Sequence, residues 1–144
     1  MNGHVTRSVL LSVSAIVLWL AIFARHPALA IGQNANFQII EVTAKKYEYS
    51  PAPIHVKSGM RIQLKITATD HDHGFSIAKI PDGSGSNAPA GLVFDSAEEC
   101  WQLERGKTSV IEFLAQTPGT YSFKCCHTCG LGHRGMKGQL VVEP

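Results

Sequence analysis

Beyond residue 31 the sequence has no stretch in which apolar residues recur at a helical period, and no internal repeat or low-complexity tract. These absences exclude a mostly helical fold and a repeat array. Charge of one sign is missing too. Of 13 Lys and Arg, two (Arg7 and Arg25) lie in the first 30 residues, so residues 31–144 carry 11 basic against 11 acidic side chains. That balance offers no basic face and gives no support to nucleic-acid binding. A Cys-x-x-Cys-His haem attachment string is absent. So is a positioned nucleophile and base, because Cys126 and His127 are neighbours whose side chains point apart on an extended chain.

What is present begins with an uncharged apolar run, Ser8 to Ala24, behind Arg7 and ahead of "RHPALA". The Ala28-Leu29-Ala30 end has the small-x-small pattern of a signal-peptidase site. The run is slightly short for a membrane span of roughly 20 residues. Residues 1–30 therefore read as a signal peptide or as an uncleaved N-terminal anchor through residues 8–24. In either case residues 31–144 are expected to form one exported domain, in the periplasm or anchored to the outer face of the inner membrane.

That domain reads as all-β. "RIQLKITAT", Arg61 to Thr69, sets Ile62, Leu64 and Ile66 on one face against Arg61, Gln63, Lys65 and Thr67 on the other. Such period-2 alternation marks a half-buried strand. "FQIIEVTAKKYEYSP", "TSVIEFLA", "TYSFK" and "GQLVVE" are further strands, with a turn at Pro118-Gly119. Short strands between Gly and Pro turns predict an antiparallel sandwich or barrel. Lys79 to Cys100 reads as a long surface loop with one helical turn over Asp95–Cys100. Tyr47 and Tyr49 read as strand residues packing a sheet face.

Four cysteines in an exported chain ordinarily suggest two disulfides. Here Cys125, Cys126 and Cys129 crowd one loop, so a disulfide framework accounts for at most one pair, Cys100 with Cys126 being the candidate. The loop, "FKCCHTCGLGHRGMKGQLVV", also holds His127, His133 and Met136. Thiolate, imidazole and thioether together suit copper, and a weak axial Met marks electron-transfer copper sites. Zinc gains little from Met. One loop cannot surround an ion, and "TDHDHGFSI" supplies a second imidazole, His73 in preference to His71.

The pairing of "DHDHGFSI" with "PGTYSFKCCHTCGLGHRGMKGQLVV" resembles the soluble domain of cytochrome c oxidase subunit II, in versions with a single N-terminal anchor. The resemblance runs over residues 37–144. It implies a cupredoxin-like Greek-key β-sandwich or barrel and a binuclear CuA centre of two copper ions. By the same resemblance Cys125 and Cys129 would bridge both coppers, and His73 and His133 would each cap one. Met136 would be the weak ligand of one copper and the carbonyl of His127 that of the other. The implied partners are a cytochrome c-like electron donor and a haem–copper oxidase catalytic subunit, with the chain an electron-transfer component rather than a self-contained catalyst. Departures from the family are the third thiol, Cys126, the long stretch between His73 and Cys125, and tyrosines where the family is rich in Trp. The alternatives are a mononuclear blue-copper site using one cysteine, a copper chaperone, and a structural domain with a Cys125–Cys129 disulfide.

Overall fold

The computed structural model describes residues 37–144. The expected signal peptide or anchor over residues 1–30 lies outside the described residues. Ten strands follow in order: β1 (Phe37–Lys45), β2 (Glu48–Ser50), β3 (Ile54–Lys57), β4 (Arg61–Ala68), β5 (His73–Ile77), β6 (Leu92–Phe94), β7 (Trp101–Leu103), β8 (Thr108–Ala115), β9 (Gly119–Lys124) and β10 (Lys137–Glu143). A single 3-10 turn, His133–Gly135, precedes β10. Among the described residues no helix is long and apolar enough to cross a membrane.

Two five-stranded sheets, ordered β2-β1-β4-β8-β6 and β3-β10-β9-β5-β7, form the sandwich. The alternation read from β4 is the burial pattern observed, with Ile62, Leu64, Ile66 and Ala68 at 0% exposure. From β8 come Ile111, Phe113 and Ala115; from the second sheet come Phe75, Tyr121, Phe123, Leu140 and Val142. Each large apolar side chain fully removed from water contributes about 1.5–3 kcal/mol. One face of each sheet is thus committed to the core, which fixes strand register.

Several details differ from the sequence expectation. The sheets are mixed: β1 pairs with β4 in parallel, as does β3 with β10. Periodicity reports which face of a strand is buried but not the direction of its neighbour. The single run expected over Phe37–Pro51 breaks at Lys46-Tyr47, and β2 folds back antiparallel on β1, Lys45 opposite Glu48. Strands β3, β5, β6 and β7 went unread because they are short, the longest having five residues.

No helical turn forms over Asp95–Cys100. Leu92–Phe94 pairs with β8 instead. Phe94 packs on Trp101 and Phe113 at 5.2 and 5.0 Å, and Arg61 pairs with Asp95. These contacts hold the segment extended at the sheet edge.

Candidate metal centre

The site is built where β5 begins, where β9 ends and where β10 starts. Period-2 alternation along "HGFSI" turns His73, Phe75 and Ile77 inward, and His73 is wholly buried. It is the one buried polar or charged side chain among the described residues. Its Nε2 donates to Asp70 Oδ1 at 2.7 Å, while its Nδ1 is buried without a hydrogen-bond partner. An orphaned buried nitrogen carries a desolvation cost of about 1–3 kcal/mol, and native proteins rarely leave one without a reason. A ligand on Nδ1 would remove that cost.

Asp70 holds this imidazole in one orientation. Burial pushes its carboxyl up, but hydrogen bonds from His73 and from the backbone N–H groups of Lys46 and His71 outweigh it and hold the group well below the usual carboxylate range. A carboxylate behind a histidine fixes the tautomer that presents the other nitrogen to a metal.

The β9–β10 ladder continues one step beyond the strands, Cys125 N–H donating to Met136 O at 2.9 Å. Cys125 and Met136 are thereby brought side by side at the ends of two core strands. Between them the chain turns tightly, with Met136 N–H donating to His133 O. Cys125 Sγ lies 3.4 Å from Cys129 Sγ and 3.1 Å from His127 O. Cys129 Sγ lies 3.7 Å from His133 Nδ1 and 3.9 Å from Met136 Sδ. A nitrogen of His73 and the two sulfurs fall within 4.8 Å of one another. All six residues expected from the sequence are thus gathered, with the His127 side chain exposed and only its carbonyl turned to the sulfurs. Cys125 and Cys129 are free thiols, 4% and 9% exposed, and Met136 is wholly buried.

His71 stands beside the cluster, its ring centroid 4.2 Å from that of His73 with the planes tilted by 40°. Cys126 is bonded to Cys100. Other contributors had no sequence signal strong enough to single them out. Gly74 donates its N–H to Cys125 Sγ at 3.4 Å. The Tyr49 hydroxyl, donating to Gly74 O, holds that backbone from the other side. Tyr49 is a packing residue of β2, as expected, whereas Tyr47 is not in a strand: it sits in the turn before β2 and lies against Gly130 and Gly132 of the loop. A Cβ at Gly132 would collide with that ring, so the glycine permits the close approach.

Burial first, and then Cys125 beside it, push the Cys129 thiol up to about 11 from 9.0. In the metal-free chain the folded state therefore keeps a proton that the unfolded chain sheds above about pH 9. Stability should be full below about pH 9 and fall as pH rises towards about 11. Urea titrations of the metal-free protein across that window test this, and Cys129→Ala should flatten the loss. A metal bound through this thiol must displace its proton, so uptake should release protons.

Soft sulfurs, imidazole nitrogens, a thioether and an orphaned Nδ1 form a donor set that fits copper. The family described as cupredoxin-like domain matches residues 12–142. The chain belongs to the cupredoxin family. Two relatives of this cupredoxin, both cytochrome c oxidase subunit 2 of Thermus thermophilus, are each 32% identical over 118 residues, or 81% of the chain. The chain covers 75% of one and 60% of the other. Among solved structures, the periplasmic domain of cytochrome oxidase subunit II of Bradyrhizobium japonicum aligns with a TM-score of 0.56 at 16% identity, over 73% of this chain and 83% of that one. Auracyanin A of Chloroflexus aurantiacus, described as a blue copper protein, aligns at 0.55 and 17% identity, over 74% and 99%. At such identities the structural likeness establishes a shared fold.

Proposed function

We propose that this cupredoxin is an electron carrier of the oxidase subunit 2 type that holds a binuclear CuA-type copper centre. The observation that carries the reading is the pair of free, buried cysteine sulfurs 3.4 Å apart, with the unpartnered Nδ1 of a buried histidine beside them. A mononuclear blue site would use one of these thiols and leave the other an idle soft ligand at its elbow. A chaperone that hands copper on would expose its thiols, whereas these are 4% and 9% exposed.

Cys125 and Cys129 would bridge the two metal ions, His73 and His133 would cap them, and Met136 and the His127 carbonyl would be the weak ligands. Bound there, a thiolate-bridged copper pair would share one transferred electron between its metals, so that each bond changes little. The protein's own part is to keep those donors still and dry. Asp70 orients His73, and the Gly74 N–H hydrogen-bonds the Cys125 sulfur. The Tyr49 hydroxyl, kept a donor because burial and then Cys125 push it far above the usual range, anchors the Gly74 carbonyl. Hydrogen bonds to the sulfur and a shell that excludes water set the potential of such a centre.

A cytochrome c-like electron donor and a haem–copper oxidase catalytic subunit are the proposed partners, and an exported site is the proposed location. Both are supported by the relatives' identity and by the apolar run behind Arg7.

The test is copper per chain on the purified protein, alongside optical and electron-spin spectra. Two coppers with one shared unpaired electron establish the reading. One copper with a blue thiolate band moves the site to the mononuclear class, tight Cu(I) with no stable oxidised form indicates a chaperone, and no copper leaves a structural domain. Met136→Leu should keep both coppers and shift the reduction potential. As a near volume-conserving change it should cost less than about 1.5 kcal/mol of metal-free stability. Complete copper loss in that variant would remove Met136 from the role of weak ligand.

A further inference from the structure

Cys126 sits within the ligand loop yet takes no part in the sulfur cluster. It is bonded to Cys100, 26 residues earlier, across a Cα–Cα separation of 5.9 Å. Cys100 immediately precedes β7, and β7 pairs with β5 through Gly74 opposite Gln102 and Phe75 opposite Trp101. The bond therefore straps the metal loop to the edge strand that flanks β5.

The strap lies directly on Gly74. A Cβ there would fall 2.8 Å from Cys126 Sγ and 2.7 Å from His127 N, so loop and strand touch backbone to backbone. Two contacts of the Cys125 sulfur depend on this seat: the N–H of Gly74 at 3.4 Å and the carbonyl of His127 at 3.1 Å. The thiols also differ in access. Cys100 is exposed and Cys126 half-buried, while Cys125 and Cys129 are buried. A reductant arriving from solvent meets the disulfide before it meets the two buried thiols.

We propose that the Cys100–Cys126 disulfide is a thiol-addressable clasp on the metal loop, closed for slow copper exchange and opened by a dithiol reductant for fast exchange. This rests on the copper reading of the site. A thiolate of the dithiol attacks Cys100 Sγ, the more exposed sulfur, forming a mixed disulfide and expelling Cys126 as thiolate, which takes up a proton. The second thiol of the reductant then attacks its own sulfur in that mixed bond and expels Cys100. The reductant leaves as its disulfide, and the protein has gained two electrons and two protons. Freed from β7, residues 126–127 can lift from Gly74, and the Cys125 sulfur loses both neighbours that the clasp holds in place.

The experiment measures the rate at which the copper-loaded full chain gives up copper to an excess of Cu(I) chelator. It compares the disulfide-intact protein with the double variant Cys100→Ser, Cys126→Ser, which retains every proposed ligand. The clasp predicts transfer at least about tenfold faster in the variant, the scale on which residues outside the ligand set tune metal affinity, with copper number unchanged. Equal rates overturn it.

A second arm needs neither the variant nor copper. The metal-free wild-type chain is treated with limiting dithiothreitol, alkylated and read by mass spectrometry and amide hydrogen exchange. Cys100 and Cys126 should become alkylatable as the dithiothreitol is consumed, and exchange should rise over the loop and at Gly74. Unchanged exchange with the disulfide open overturns the clasp. If the wild-type chain takes up no copper at all, the copper reading fails on its own, and this arm still decides whether the loop is clasped.

Discussion

Cys125→Ser is expected to abolish the spectrum of the proposed copper pair outright, leaving one copper per chain or none. Serine oxygen is a hard, weakly acidic donor that does not bridge copper ions as a thiolate does. The serine hydroxyl can still accept the hydrogen bond that the N–H of buried Gly74 donates to the sulfur. The net worth of such a bond is only about 0.5–1.5 kcal/mol, so the variant should fold with little loss of stability while its metal chemistry collapses. Cys129→Ser should behave alike in the spectrum, because a bridge needs both sulfurs. Copper analysis and electron-spin spectra of the refolded variants provide the check. An intact shared-electron signal in either variant would sink the bridging assignment. A single copper with a blue band in one variant and nothing in the other would identify the thiol that a mononuclear site uses.

How much of this was legible in the sequence depends on what kind of signal each part leaves. Ligand types and spacing are local facts, and "CCHTCGLGHRGM" displays them without any fold. The long strand with clean alternation, β4, is legible for the same reason: period 2 is written in consecutive residues. The choice of His73 over His71 rests on the Gly-Phe that follows it, because two residues apart they share one face of an extended segment. The structure adds that the His71 ring packs against His73 in a tilted arrangement.

What the sequence did not display is every relation between distant segments. Asp70 looks like one more acidic residue until three donors converge on it. Gly74 looks like a flexible position until Cys126 and His127 of the distant loop are found lying against it. Parallel pairing of β1 with β4 is invisible because a strand's own residues do not encode its partner's direction. The disulfide is an instructive intermediate. Elimination left Cys100 with Cys126 as the candidate pair, yet nothing local indicated that the bond would press on the residue that donates to Cys125. The helical turn expected over Asp95–Cys100 is overridden by tertiary contacts at its two ends: Phe94 just before it packs on Phe113 and on Trp101 just after it, and Asp95 pairs with Arg61.

The same distinction between local and long-range determinants yields the second large effect. Phe75→Ala should cost about 3–5 kcal/mol of metal-free stability, the range for truncating a fully buried aromatic. That is a large part of the roughly 5–15 kcal/mol a domain usually possesses. Phe75 is wholly buried, with ring centroids 5.5 Å from Tyr49, 5.2 Å from Phe123 and 6.3 Å from Trp101. Phe113, equally buried in the opposite sheet against Phe94, should cost a similar amount when truncated. The two should part company at the metal site. Phe75 follows His73 and Gly74 on β5, and its edge contact with Tyr49 steadies the hydroxyl that anchors the Gly74 carbonyl. Loss of that ring should loosen the seat of the Cys125 sulfur and weaken copper retention. The ring paired with Phe113 is Phe94, so its truncation removes no direct aromatic contact of Phe75 or Tyr49. Urea unfolding of the metal-free variants, paired with copper transfer to a chelator, separates the cases. Equal retention in the two variants at equal loss of stability would mean that the core supports the site only by staying folded. Faster copper loss from Phe75→Ala alone would mean that the aromatic cluster beneath β5 is part of how this chain holds its metal.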